Sequence, residues 1–112
     1  MDDISKKYLF DIQKAINSVE GYFGGKKVFA EYNANDMLQK AVERQIEIIG
    51  EAVNCLLKAN PDVVISNARR IIDTRNYVIH GYDKVSNEII WSIVVKHLPL
   101  LKIEVEDLLN KQ

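Results

Sequence analysis

The chain has 112 residues, 47% apolar and 28% charged, with 15 Lys+Arg against 16 Asp+Glu for a formal net charge of −1. These values describe a single folded domain over residues 1–112; they exclude a disordered chain and leave little room for separate substrate and cofactor domains. The only cysteine, Cys55, excludes an intrachain disulfide and suits a reducing compartment.

The first residues, Met1-Asp2-Asp3, are acidic, whereas a signal peptide needs a basic start and an apolar stretch. No apolar run approaches the roughly 20 residues of a membrane span. The expectation is a cytosolic protein with no membrane partner. Leu9, Ile12, Ile16 and Val19 then recur at steps of 3, 4 and 3, one face of an opening helix that Asp2 or Asp3 can cap. Gly21, Gly24 and Gly25 break the pattern, so residues 21–34 read as a loop carrying Tyr22, Phe23, Phe29 and Tyr32. Lys26 and Lys27 could touch phosphate there, although such a stretch reads first as a connection.

A second helix starts at Asn33 or Asn35. Its seam is Val42, Ile46, Ile49, Val53 and Leu56, widened by Ala41, Ile48, Ala52 and Cys55, so burial on more than one side is expected. Gly50 lies mid-helix, where it costs about 1 kcal/mol relative to Ala; close approach of a neighbouring helix would account for it. Met37 and Cys55 read as packing residues. Asn60-Pro61-Asp62 ends the helix.

A third helix runs from about Val64 or Ser66 to His80, with Gly81 as its stop. A fourth begins near Ser86 with Glu88 in its first turn and carries Ile90, Trp91, Ile93, Val94 and Leu98. Pro99 either kinks it or opens a fifth, with Leu101, Val105, Leu108 and Leu109 inward. Trp91 reads as core or subunit interface. The fold class is all-α, an up-and-down bundle of four to five helices.

The third helix carries the candidate chemistry. Ala68, Ile71, Ile72, Val78, Ile79 and Tyr82 share one face, and Arg75 projects from its middle. A guanidinium there must pair with an acid such as Glu47 or Glu51, sit at a subunit interface, or line a polar cleft. Asn76 and His80 lie together on a neighbouring face with Arg69 and Asp73. Arginine binds phosphate oxygens and stabilises charge at a transferring phosphorus, and histidine exchanges protons near neutral pH. Cleaving RNA through its own 2′-hydroxyl needs no metal in principle. A Cys/His zinc site would need more ligands than Cys55, His80 and His97 supply unless carboxylates joined them. Residues five apart on a helix point about 140° away from each other. Arg75 and His80 therefore converge more readily from two copies across a two-fold axis.

Arg75-x4-His80-x-Tyr82 resembles the Arg-x4-His-x-Tyr motif of the HepT-like ribonuclease toxins, a branch of the HEPN superfamily of small helical proteins. The likeness extends to Arg75-Asn76 and His80-Gly81-Tyr82-Asp83, to Ile46-Glu47-Ile48-Ile49-Gly50-Glu51-Ala52, and to Ile90-Trp91 followed by Leu98-Pro99-Leu100-Leu101. Together these cover roughly residues 29 to 109. Many members carry an Ile-Pro-Trp-type stretch before the motif helix, where this chain has Val63-Val64-Ile65-Ser66-Asn67.

The resemblance implies a HEPN-like homodimer with both motifs in one cleft, and a metal-independent endoribonuclease needing no cofactor. It implies Arg75 and His80 as catalytic residues and Asn76 as their polar support. It also implies an antitoxin partner, a minimal nucleotidyltransferase that adenylylates Tyr82. A second expectation is a non-catalytic nucleotide- or RNA-binding partner of such a nucleotidyltransferase. A third is a plain bundle in which Arg75 is a dimer salt bridge. The balanced charge requires that any RNA be held by a local basic patch.

Overall fold

In the computed structural model, residues 1–80 and 86–111 are described, and within them the regular structure is all helical, joined by short turns, with no strand. The first helix, α1 (Asp3–Phe23), is capped by Asp2, whose carboxylate accepts from the Ser5 N–H at 2.7 Å. It runs through Gly21 and stops at Gly24, which takes the left-handed conformation at φ 59°. The helix therefore ends later than the first glycine suggests.

Residues 29–33, read as loop from the sequence, form a short helix, α2 (Phe29–Asn33). Five residues are too few for a periodic signal, and what holds them is tertiary. Tyr32 is fully buried, its ring 5.4 Å from Trp91 and 6.2 Å from Phe23 between centroids. The buried Gln39 amide donates to the carbonyls of Tyr32 and Asn33 at 3.1 and 3.0 Å, closing the open end of α2.

Helix α3 (Asp36–Ala59) is capped by Asn35, which accepts from the Leu38 N–H at 3.0 Å. Asn33 instead accepts from the Asn87 side chain at 2.8 Å. As the widened stripe implies, α3 is central, with α1 and α4 (Ala68–His80) packed against it and the C-terminal helix α6 (Leu98–Asn110) against α1. Val42, Ile46, Ile49, Val53 and Leu56 are fully buried, and Cys55 is half-buried. Met37 does not pack: it is 81% exposed in the first turn, on the side of α3 away from the seam.

The C-terminal part turns as one rod. Ser86 caps α5 (Asn87–Ser92), a π-helical turn spans Ile93–His97, and α6 (Leu98–Asn110) follows without a loop. Leu98 N–H bonds back five residues to the Ile93 carbonyl. Pro99, which has no N–H and whose ring crowds the carbonyl four residues back, follows directly on that widened turn. It opens a new helical stretch without breaking the rod. Ile90, Ile93, Val94, Leu98, Leu101 and Val105 point into the core, and Trp91 is half-buried against it. Burial of each such side chain is worth about 1.5–3 kcal/mol before entropy is counted. No helix among the described residues is long and apolar enough to cross a membrane.

Candidate active site

Helix α4 is held at its start by a contact from the far end of the chain. The Glu104 carboxylate on α6 accepts from Ser66 N–H at 3.2 Å and from Ser66 Oγ at 2.8 Å. Ile65 is buried beside it, and Asn67 turns the chain into the helix at φ 60°. Only Ile71 and Thr74 of α4 are buried; Ala68, Ile72 and Val78 pack partly on the core. Ile79, expected inward, is 42% exposed. α4 therefore covers α3 with one narrow stripe and shows the rest of its surface.

Arg75 lies on that stripe. Its stem passes directly over Gly50 of α3, which has no side chain to obstruct it. The guanidinium then meets two partners. One Nη donates to the carboxylate of Glu51, and the other donates to Asn76 Oδ1 at 2.7 Å. Its Nε is buried without a hydrogen-bond partner among the described residues, while the side chain as a whole keeps 24% of its surface in solvent. Cys55 Sγ–H also points to Glu51, at 3.4 Å. Glu47, the other acid considered for Arg75, is engaged by Arg44 at 3.1 Å.

Arg75, Glu51, Glu47, Arg44 and Cys55 line an open groove of about 510 Å³; Asn76 supports Arg75 without lining it. Arg75 and Ile79 come from α4, Glu47 and Glu51 from α3, and Lys7 and Tyr8 from α1. Arg75, Asn76 and Glu51 are thus brought together, and Glu47 shares the groove with Arg75 and Glu51. His80 is exposed at the end of α4 and is not among the groove's lining residues. Tyr82 and the Gly81 stop lie outside the described residues. Arg69 and Asp73 pair at 3.6 Å on the outer face of α4. Among the described residues, no three His, Cys, Asp or Glu side chains gather closely enough to hold a metal ion.

A family model for ribonuclease HepT-like proteins matches residues 12–108, a stretch that includes Arg75, Asn76 and Glu51 and extends through His80 and Tyr82. The chain belongs to the ribonuclease HepT-like family. It is 32% identical over 109 residues to a Methanocaldococcus jannaschii protein named provisionally as an RNase, covering 94% of this chain and 87% of that one. A second protein of that organism, named in the same way, is 33% identical over 106 residues, covering 90% and 93%. A Thermococcus cleftensis protein named provisionally as ribonuclease HepT is 33% identical over 107 residues, covering 92% and 94%. No solved structure matches.

In this HepT-like chain, sequence spacing pointed to Arg75 and its acid partners but missed the contribution of α1. Lys7 and Tyr8 join the groove only because α1 and α4 flank the same helix. Gly50, read from its mid-helix place as a point of close helix approach, is where α4 crosses, immediately before the acid that binds Arg75.

Proposed function

We propose that this protein is a metal-independent endoribonuclease and the toxin of a toxin–antitoxin pair, working as a homodimer. The observation that carries the reading is the Arg75 guanidinium, oriented by Glu51 and Asn76 yet still partly open to a groove. A cation held in a fixed plane stabilises negative charge gathering on phosphorus without reorganising when the charge appears. The RNA 2′-oxygen attacks the adjacent phosphorus and the bond to the 5′-oxygen breaks, leaving a 2′,3′-cyclic phosphate and a 5′-hydroxyl. One His80 takes the proton lost by the 2′-hydroxyl, and the partner copy's equivalent gives one to the departing oxygen. Helix geometry sets Arg75 and His80 of one chain about 140° apart, which is why the proposal needs two copies.

In the same reading, a minimal nucleotidyltransferase neutralises the protein by adenylylating Tyr82. Added phosphate charge and bulk beside the cleft oppose an RNA phosphate. Intact mass of the protein after co-expression with such an enzyme, compared with Tyr82→Phe, tests that part.

A second reading is favoured by one feature. Glu51 already occupies Arg75 and competes with phosphate for it, as in a non-catalytic nucleotide- or RNA-binding partner of the nucleotidyltransferase. The deciding experiment is RNA cleavage by the purified, unmodified protein in excess EDTA, with Arg75→Ala and His80→Ala alongside. Cleavage by wild type alone, ending in cyclic phosphate, supports the ribonuclease. Binding of several RNAs without cleavage by an unmodified dimer supports the second reading.

A further inference from the structure

A chain with a net charge of −1 can hold RNA only where cations are locally in excess. Arg44, Arg69 and Arg75 are each tied to a carboxylate. Arg70 on α4 and Lys96 in the π-helical turn have no carboxylate partner among the described residues. Both lie close enough to His97 to disfavour its charged form: burial is the first cause of its lowered pKa, and Arg70 and Lys96 are the next. Arg70 is exposed on α4 and lines a groove there.

Beside Arg70 a shallow groove of about 530 Å³ runs between α4 and α5, with Tyr77 and Ile89 on its walls. Arg69 and Asp73 also line it, and their pairing cancels their charges. Tyr77 is 65% exposed, an aromatic ring left in solvent. Arg70 and Tyr77 are seven residues apart, which sets them about 20° apart around the helix and about 10 Å along it. His80 follows one turn further on.

We propose that this face of α4, where Arg70 and Tyr77 line one groove, is a subsite for single-stranded RNA flanking the cleaved bond. Tyr77 stacks on a base, and Arg70 holds a phosphate. The inference rests on the reading above that the ligand is RNA. Stacking accepts any base, so the subsite adds affinity and selects unpaired strands over duplex without reading sequence.

The test is fluorescence anisotropy of the full chain with a labelled 12-nucleotide 2′-O-methyl RNA, which binds but has no 2′-hydroxyl to react. Tyr77→Ala should weaken binding on the order of tenfold or more, while Tyr77→Phe binds as wild type. Arg70→Gln should weaken it and reduce the salt dependence by about 0.7 in log–log slope. Failure of the wild type to bind, or unchanged binding by Tyr77→Ala and Arg70→Gln, overturns the subsite. So does a change of mass in sedimentation for Tyr77→Ala with binding by Arg70→Gln intact, which would make this face a contact between copies. Parallel cleavage of unmethylated RNA separates the two proposals. Binding that depends on Arg70 and Tyr77 without cleavage leaves the subsite and removes the ribonuclease. Cleavage indifferent to both residues removes the subsite alone.

Discussion

Arg75 crosses α3 at Gly50: a Cβ at position 50 would stand 2.2 Å from Arg75 Cβ and 2.8 Å from its Cγ. The Ile71 carbonyl of α4 would be only 3.3 Å away. The missing side chain is what lets the arginine stem lie flat on α3, and the next residue, Glu51, receives its guanidinium. Two adjacent residues of α3 thus seat and orient one side chain of α4.

Gly50→Ala should therefore destabilise the fold by about 1–3 kcal/mol, the usual cost of overpacking, even though alanine is the better helix former by about 1 kcal/mol. Urea denaturation measures it. In an Arg75→Gly background the crowding Cβ is gone and most of the loss should vanish. An equal loss in both backgrounds would show that some other contact excludes a side chain at position 50.

Glu51→Gln should change stability by less than about 1 kcal/mol, because Glu51 is 50% exposed and its pair is screened. Its effect on RNA tells the two functional readings apart. If Glu51 orients Arg75 for catalysis, kcat for RNA cleavage falls while the melting temperature holds. If Glu51 only competes with phosphate, RNA binding tightens instead.

Arg75→Lys keeps the charge and loses the planar fork that spans Glu51 and Asn76. In the ribonuclease reading the expected loss in kcat is about 10²–10³-fold. Cleavage at a rate close to wild type would mean that charge alone is needed at position 75.

Glu104→Ala removes the acceptor for both Ser66 donors. The expected cost is about 2 kcal/mol, as for hydrogen bonds to a charged group. Hydrogen exchange should quicken first at the opening amides of α4, including Ile71, whose N–H bonds to Asn67. Uniform quickening over all helices would show that Glu104 does not act on α4 in particular.

His97 should make stability fall in mild acid. Burial, then Arg70 and Lys96, hold its pKa below the ordinary 6.5. Between the lowered value and 6.5 the unfolded chain binds the extra proton, so stability drops as pH falls through 6.5 and levels off below the folded value. His97→Gln should flatten that part of a stability profile measured by denaturation between pH 5 and 8.

The helices and their inward faces were legible in the sequence because a 3.6-residue period leaves a local record wherever a helix is long. The seams of α1 and α3 and the caps at Asp2, Asn35 and Ser86 all follow from neighbours in the chain. Arg75 stood out because a cation on an apolar face demands a partner, and the acids Glu47 and Glu51 were the available ones. Where the reading went astray, distance along the chain was the reason. Helix α2 depends on Trp91 and Gln39. Met37 in the first turn of α3 stays largely in solvent, because which side of a helix is covered depends on its packing neighbours.

The sequence by itself determined that the chain is an all-α domain and which helix carries Arg75, Asn76 and His80, since both follow from residue type and local spacing. Only the tertiary structure decided that Glu51 and not Glu47 takes Arg75, that Gly50 is the crossing point, and that Lys7 and Tyr8 share the groove. Such pairings join residues 24 or more apart in the chain, from Glu51 and Arg75 outward. Their geometry is set by how helices cross, and a periodic pattern records only which face of each helix is covered.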